Sequence, residues 1–595
     1  MKYPNIYSLF RERVEQYQGR DVFFVRQEDR WKGISWERFG REARAFASAL
    51  IASGFRKGSS VAILMGNVPE WPIGDLGTIM AGGVSVGLYP TNSAEQCQYI
   101  IKHSDAEFLL VDTNAQLEKV LRVRGEIPEL TFVIVLDDRA ARENPKVMSY
   151  REFLQLGTEH MAETGEIVET RARNAQPDDT VIMVYTSGTT GLPKGACLSH
   201  RYVINSVESL REVIPFHDSD VAFSYLPYCH VAERISGLYN RLYAGASAYF
   251  VDDPARLWDY ISELKPRMFS SLPRFFEKVH ARIVSDLGRC SAEERELFTE
   301  VLALGKQISN LRQEKATIPE EVKREYDARA QPIIDRVKGY FGGRVEFATS
   351  GGAPLAPGIA EFFDAFGIPI LQAYGLTENV CVAFNRRDNY KFGTVGPPMP
   401  GCSVKIAHDG EILVRSEMMF SGYYKELDKT AEVFRDGCLL TGDLGELDAD
   451  GFLKITGRKK ELIVTSTGKN VAPALIENLL KEHHLISHAL IYGDGKSYLV
   501  ALITLNPVET ESYARASNIT YDDFAALTRS EPINNLVREV VEKVNARVSS
   551  TEAIKKFALL DHDLTIDADE ITPTMKIKRS VVTERYIGII ESLYT

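Results

Sequence analysis

Apolar residues in the first third of the chain recur in two different patterns. Across residues 36–54 they return every three or four positions, as in Phe39, Phe46 and Leu50, which predicts a helix with one buried face. Residues 61–64, 108–111 and 132–136 are instead short, uninterrupted apolar runs. Such runs are typical of buried parallel strands connected by helices. The sequence therefore predicts an α/β fold of mostly parallel, helix-flanked sheets.

The pattern changes twice further along the chain. Residues 284–340 are charged and lack strand-like runs, Val301 and Ile308 share one helical face, and Pro332 interrupts a second helical stretch. This predicts a helical insertion. At about residues 390–457, short apolar runs alternate with glycine and proline, which predicts a small β subdomain. We expect a large N-terminal domain over 1–457 and a small α+β C-terminal domain over 458–595.

Composition and charge narrow the classes of partner. Of the 595 residues, 44% are hydrophobic and 26% charged, as in ordinary globular proteins. The net charge of −12 argues against a nucleic-acid partner, because nucleic-acid binding normally needs a basic face. ATP is not excluded, since it needs only a local positive site.

Cysteine usage and hydropathy bear on location. The seven cysteines are scattered, and the chain starts with polar residues rather than a signal pattern, which favours a reducing cytoplasm. No apolar run reaches the roughly 18 residues that a bilayer-spanning helix needs. Peripheral contact with the inner face of a membrane stays open, as does the oligomeric state.

The most distinctive stretch follows an apolar run at 181–184 that predicts a buried strand. Residues 185–195 read YTSGTTGLPKG. Glycines let backbone N–H groups turn toward one point, hydroxyls add donors and a lysine adds a cation, so this loop predicts a cradle for a polyphosphate. Its spacing does not fit a Walker A loop. A flexible connection is the alternative, against which Pro193 and the preceding strand argue.

This loop resembles the phosphate loop of the adenylate-forming superfamily, which includes acyl-CoA synthetases, luciferases and peptide-synthetase adenylation domains. The resemblance implies that the chain binds ATP and acts on a carboxylic acid. It assigns the phosphates to the following loop residues: Thr186, Ser187, Gly188, Thr189, Thr190 and Lys194.

Two further motifs resemble the adenine pocket and metal site of the same superfamily. Residues 350–354 read SGGAP, where the glycines let a flat ring approach the backbone. Residues 372–378 read QAYGLTE and match the Y-G-x-T-E motif. The aromatic ring suits a purine face, the threonine can donate to a phosphate, and Glu378 offers a hard oxygen to Mg²⁺. Taken singly, each could be ordinary turn chemistry. The residues assigned to the nucleotide are Gly351, Gly352, Ala353, Gln372, Ala373, Tyr374, Gly375 and Thr377.

Three charged or titratable residues also belong to the predicted site. Asp443 lies in a T-G-D motif that we expect to form a tight turn; a carboxylate there can accept both hydroxyls of a ribose, and the resemblance pairs it with Arg458. His230 matches a histidine between the phosphate and carboxylate sites, where it would position substrate.

Near the C-terminus, Lys576 matches the superfamily's catalytic lysine, although Met575 stands where glycine is usual, as in long-chain fatty acyl-CoA synthetases. Lys578 is a rival for the same role. Thr186, His230, Glu378 and Lys576 are thus the predicted catalytic residues.

The resemblance implies a two-step reaction. A fatty acid attacks the α-phosphorus of ATP, with Mg²⁺, to give an acyl-adenylate, and coenzyme A then displaces AMP after the C-terminal domain rotates about a hinge at 458–460 centred on Lys460. Residues 224–238 contain no aspartate to bind an amino group, so an amino-acid substrate is disfavoured. Residues 457–471 and the helical insertion are similar to the long-chain fatty acyl-CoA synthetases.

Three alternatives stay open. A fatty acyl-AMP ligase would pass its adenylate to a carrier protein instead of coenzyme A. A non-catalytic nucleotide- or lipid-binding protein could use the same fold. A luciferase-like oxygenase has no residue here that separates it from a ligase.

Overall fold

The computed structural model describes residues 1–144, 146–186, 192–466, 468–572 and 575–595. Its core is α/β, as the sequence predicts. The helix Trp36–Ala52 begins at Ser35, whose hydroxyl accepts the Arg38 N–H, and it ends before Gly54, whose φ is 87°. The other helices before the insertion are Ile6–Tyr17, Glu70–Met80, Ala94–His103, Asn114–Val123, Asp138–Glu143, Tyr150–Glu159, Met161–Arg173, His200–Val213, Asn240–Ala244 and Leu257–Leu264.

An eight-stranded sheet forms the centre of the fold. Most of its strands are parallel, and residues from successive positions, such as Val61 and Ala62, enter apolar clusters on opposite faces. Both faces are therefore covered, which explains the continuous apolar runs. The strands run in the spatial order Gly422–Tyr423, Lys194–Ser199, Thr180–Thr186, Val84–Leu88, Ser60–Leu64, Ala106–Val111, Phe132–Val135 and Met148–Ser149.

Two four-stranded sheets lie beside the central one. One sheet has the order Val221–Ser224, Ser247–Phe250, Asp21–Gln27 and Arg30–Ser35. The other has the order Met268–Ser271, Phe347–Ser350, Ile370–Leu376 and Asn379–Phe384.

The region predicted as a helical insertion is helical. Pro332 lies in the first turn of its helix, where its missing N–H costs nothing, so the stretch it interrupts forms two helices. The helices are Pro273–Gly288, Ala292–Gln313, Glu320–Arg329 and Gln331–Gly339, and Pro357–Asp364 packs beside them.

A five-stranded antiparallel sheet forms the predicted β subdomain. The expectation of a tight turn at T-G-D was wrong. Asp443 lies inside the long strand Cys438–Leu447, where a register shift and the positive φ of Gly442, 69°, make a bulge. The sheet contains Cys402–Ile406, Glu411–Ser416, Cys438–Leu447, Phe434–Arg435 and Leu453–Arg458, with the helix Leu427–Glu432 nearby.

The C-terminal part mixes α and β structure around its own apolar clusters. None of the helices in the described ranges is long and apolar enough to cross a membrane. The strands are Ile463–Val464 with Asn470–Val471, and Ile486–Tyr492 with Leu499–Leu505 and Ile554–Leu559. The helices are Pro473–Leu480, Pro507–Ala516, Phe524–Arg529, Glu531–Asn545, Arg579–Arg585 and Ile587–Ser592.

Candidate active site

A cavity of about 2520 Å³ lies where the three N-terminal sheets, the β subdomain and the C-terminal part meet. Sixteen of the predicted residues line it, although they are spread over nearly 400 positions of sequence. They are Thr186, Lys194, His230, Gly351, Gly352, Ala353, Gln372, Ala373, Tyr374, Gly375, Thr377, Glu378, Asp443, Arg458, Lys460 and Lys576. The other four, Ser187, Gly188, Thr189 and Thr190, lie outside the described residues.

The two ends of the predicted phosphate loop are held together by backbone pairing. Thr186 ends one strand and pairs with Lys194, which begins the antiparallel neighbour. The strand pair fixes both residues at the cavity wall, so a hydroxyl and an ammonium face the same space. This arrangement suits an anion with several oxygens.

Glu378 supplies the carboxylate predicted to hold a metal. One of its oxygens accepts a hydrogen bond from the hydroxyl of Tyr423, and the other is a hard ligand of the kind Mg²⁺ prefers. Groups of three or more His, Cys, Asp or Glu that could hold a metal are absent from the described ranges. One carboxylate completed by substrate phosphates is a usual arrangement for Mg²⁺ and fits these residues.

The predicted adenine wall combines two loops that side chains and backbone hold together. The Gln372 Oε1 atom accepts the backbone N–H of Leu355 at 3.1 Å, which ties the glycine loop to the adjacent strand. Gly375 admits no side chain, because a Cβ there would lie 2.0 Å from the Val380 carbonyl oxygen. Gly375 is exposed and lines the cavity without a side chain.

Asp443 joins the predicted ribose site to the Y-G-x-T-E motif. Its carboxylate accepts the Tyr374 hydroxyl at 2.6 Å and pairs with Arg458 Nε at 2.8 Å. Burial, and then the charge of Asp443, raise the pKa of Tyr374 well above its ordinary value, so the phenol stays a donor. Burial acts to lower the pKa of Arg458, but Asp443 and Glu461 outweigh it and the net shift is upward.

The bulge that carries Asp443 is itself anchored. Glu411 accepts the Gly442 N–H on one oxygen at 2.9 Å and pairs with Lys459 on the other at 2.9 Å. Lys459 also pairs with Asp409 at 2.6 Å. The residue before Lys460 is therefore fixed to the β subdomain, while Lys460 itself is exposed.

His230 is held as a neutral ring. Its Nδ1 accepts the Ala232 N–H at 3.2 Å, which leaves the proton on Nε2 as a donor. Burial, and then the charge of Lys576, lower the pKa of His230 to about 4. A neutral histidine with a free N–H can orient a carboxylate oxygen without becoming charged.

Buried ion pairs support the segment after His230. Arg234 pairs with Asp75, both fully buried, and Asp75 also accepts the Tyr239 hydroxyl at 2.6 Å. Glu233 pairs instead with Arg241 at 2.7 Å. Arg234 and Glu233 therefore each pair with a different residue and not with each other. Residues Ala232–Tyr239 form a π-helix, a form that recurs at functional sites.

Lys576 and its rival Lys578 differ in their surroundings. Lys576 faces the cavity and is exposed to solvent there. Burial lowers the pKa of Lys576, and the positive charge of Arg458 adds to the shift. Lys578 forms an ion pair with Asp569. The geometry favours Lys576 as the cation offered to a ligand.

Two tyrosines at the site lie outside all of the sequence motifs. Tyr202 is fully buried, donates its hydroxyl to the Thr377 carbonyl at 2.9 Å and accepts the Val380 N–H at 3.0 Å, so it shapes the turn that presents Glu378. Tyr423 contacts Glu378 and also lies beneath Lys194, 4.8 Å from ring centroid to ammonium. Hydrophobic spacing alone marks both only as core residues.

Comparisons with known proteins identify the family to which the chain belongs. The family described as AMP-binding enzyme matches residues 10–424, and the AMP-binding enzyme C-terminal domain matches residues 460–595. A long-chain-fatty-acid–CoA ligase of Mycobacterium bovis is 34% identical over 583 residues, covering 95% of this chain and 92% of that protein. A mouse protein with the same activity name is 32% identical over 625 residues, covering 99% and 85%.

Solved structures show the same fold at lower identity. An anthranilate CoA ligase in complex with anthranoyl-AMP has a TM-score of 0.73 and 19% identity, covering 98% of this chain and 97% of that one. ATP-bound MatB from Rhodopseudomonas palustris has a TM-score of 0.68 and 21% identity, covering 98% and 99%.

Proposed function

Since this chain belongs to the AMP-binding enzyme family, we propose that it is an AMP-forming ligase that joins a fatty acid to coenzyme A through an acyl-adenylate. The observation that carries the proposal is the convergence of Lys194, Glu378, Asp443 and Lys576 on one cavity that also has an apolar region. ATP and coenzyme A are the implied co-substrates, and Mg²⁺ is the implied cofactor.

In the first step, a carboxylate oxygen attacks the α-phosphorus of ATP, a new C–O–P link forms, and the bond to pyrophosphate breaks. Two anions meet in this step, so fixed positive groups are needed. Lys194 and Thr186 would hold the phosphates, Lys576 would face the developing charge, and the Nε2–H of His230 would orient the acid. A Mg²⁺ ion on Glu378 would neutralise phosphate charge when bound.

The nucleoside would be held at the other side of the cavity. Asp443 would accept the ribose hydroxyls, and Arg458 would fix the carboxylate in place. The loop at Gly351–Gly352 and the ring of Tyr374 would enclose the base.

In the second step, the thiol of coenzyme A attacks the acyl carbonyl and a C–S bond forms. The C–O bond to AMP breaks, AMP leaves, and the thiol proton is released to solvent. The thiol needs access to a carbonyl that Lys576 helps to enclose. We propose domains at 1–457 and 458–595 with the hinge at 458–460, where Lys459 is tied to the β subdomain and Lys460 is exposed. Rotation about a few backbone angles there would move Lys576 away.

A fatty acyl chain is supported by the apolar part of the cavity. Side chains from the helix His200–Val213 and from the neighbouring sheet form one apolar cluster there. An acyl chain buried against such side chains gains about 0.8 kcal/mol per methylene. The long-chain names of the curated relatives support a long-chain substrate. The lining residues include Leu210, Ile214, Met268, Cys381, Phe384 and Met399.

A panel of carboxylic acids, from acetate to long-chain and aromatic acids, tests the proposal. We expect AMP release and acyl-CoA to rise with chain length when ATP, Mg²⁺ and coenzyme A are present. AMP and acyl-adenylate without thioester would identify a fatty acyl-AMP ligase instead. If labelled pyrophosphate is not exchanged into ATP in the presence of any of the acids, the protein is a non-catalytic binding protein.

A further inference from the structure

Tyr423 lies between two groups of opposite charge at the cavity wall. Its hydroxyl donates to the carboxylate of Glu378, and the ammonium of Lys194 lies over its ring, 4.8 Å from the centroid. The side chain is nearly buried, at 8% exposure.

The backbone fixes this position from both sides. Gly422–Tyr423 forms a short edge strand on Lys194–Ser199, with Tyr423 paired to Ala196. The next residue donates its N–H to the Gly195 carbonyl at 2.8 Å, and the Phe420 N–H bonds the Glu378 carbonyl at 2.8 Å. One short segment is therefore hydrogen-bonded to the strand that carries Lys194 and to Glu378 itself.

The two contacts of Tyr423 match the chemistry of its partners. A phenol O–H is a good donor to a carboxylate, and a ring face attracts an ammonium. Without the ring between them, a carboxylate and an ammonium at a partly buried wall would attract each other directly. Each would then be less available to a ligand.

We propose that Tyr423 is a positioning residue that holds Glu378 and Lys194 apart, so that Glu378 can bind Mg²⁺ while Lys194 binds the phosphates. This inference rests on the roles that the proposed function gives to those two residues. It also predicts separable effects, because the hydroxyl serves Glu378 and the ring serves Lys194.

The test measures ATP binding by calorimetry over a range of Mg²⁺ concentrations, without any carboxylic acid. Tyr423→Phe keeps the ring and loses the hydroxyl. The Mg²⁺ concentration that gives half of the maximal increase in ATP affinity should therefore rise about tenfold, as for loss of a hydrogen bond to a charged group. ATP affinity at saturating Mg²⁺ should stay within about twofold. Tyr423→Leu should also weaken that affinity, by about three- to tenfold.

Tyr424→Phe is the matched control, because the neighbouring hydroxyl bonds the exposed carboxylate of Asp105 at 2.8 Å, away from the cavity. It should bind like the wild type. An unchanged Mg²⁺ dependence in Tyr423→Phe overturns the proposal, as does equal ATP affinity in Tyr423→Phe and Tyr423→Leu.

Melting temperatures and a thioester assay separate the remaining outcomes. If the Tyr423 variants lose ATP binding only in proportion to a lower melting temperature, the residue is merely structural and the proposal fails. If the wild type makes no acyl-CoA from any acid while the Mg²⁺ shift is observed, the proposed function fails and the positioning role stands.

Discussion

Replacing Lys576 by alanine should remove adenylate formation while leaving ATP binding and thioester formation from a supplied acyl-adenylate largely intact. The side chain lies in the cavity beside Asp443 and Arg458, and its charge reaches His230. In the proposed mechanism it acts only while the carboxylate and the α-phosphate meet. The second step starts from a mixed anhydride and needs the lysine elsewhere.

The magnitude follows from the surroundings of the ammonium. A unit charge about 4 Å from a phosphate oxygen interacts by about 1 kcal/mol in water and about 4 kcal/mol at an effective dielectric of about 20. Lys576 lies between these limits, because it faces the cavity but is exposed to solvent there. About 2–3 kcal/mol corresponds to a loss of about 30- to 150-fold in the rate of adenylation.

Labelled pyrophosphate exchange into ATP measures the first step, and a single turnover of synthetic acyl-adenylate with coenzyme A measures the second. Lys578→Ala is the matched control. It removes the same charge two positions away, from a lysine that already pairs with Asp569. Full exchange activity in Lys576→Ala would refute the role. Loss of exchange in Lys578→Ala alone would move the role to that residue.

Three further predictions concern the hinge, the ribose site and stability. Lys460→Pro should impair thioester formation much more than pyrophosphate exchange, with Lys460→Ala as the control; equal loss in both half-reactions would count against a hinge. Asp443→Asn should raise the KM for ATP by about tenfold or more and abolish discrimination between ATP and its deoxyribose analogues; a variant that still discriminates would rule out ribose binding. Burial lowers the pKa of His200, which is 1% exposed, to about 4, so the folded protein keeps this ring neutral. The unfolded chain takes up the proton more readily, so the free energy of unfolding falls as pH falls from about 6.5 toward 4. That loss is about 2 kcal/mol between pH 7 and pH 5, and denaturant titration should find a flatter pH dependence in His200→Gln; an equal slope would exclude His200 as the cause.

Local sequence patterns predicted the elements whose structure depends on near neighbours. The helix at 36–54 is confirmed because its apolar spacing and its Ser35 cap agree. The runs at 61–64 and 108–111 are strands because both of their faces are covered, which an uninterrupted apolar run indicates. Motif recognition, rather than periodicity, supplied the candidate site residues, and their convergence on one cavity depends on the fold.

The T-G-D segment shows where local chemistry misleads. Threonine, glycine and aspartate are typical turn residues, and in isolation they predict a tight turn. Here the flanking Leu439 and Leu444 pair with the neighbouring strand and keep the segment extended, so the glycine makes a bulge instead. Tertiary pairing thus overrode the local preference, and the bulge directs Asp443 toward Tyr374.

The contacts that set the electrostatics of the site were not predictable from the sequence, because their partners are far apart along the chain. Tyr423 and Lys194 are separated by more than two hundred positions, and Asp75 and Arg234 by 159. Each of these residues stands at a position where a common structural role would be expected from sequence. A tyrosine in an apolar strand usually packs in the core, and an arginine after a histidine usually faces solvent. Only the sheet order, which brings Gly422–Tyr423 onto Lys194–Ser199, makes the aromatic ring a neighbour of the phosphate lysine. Positions of this kind carry the geometry on which catalysis depends, so variants at Tyr423 and Asp75 should disturb the site more than their lack of a motif suggests.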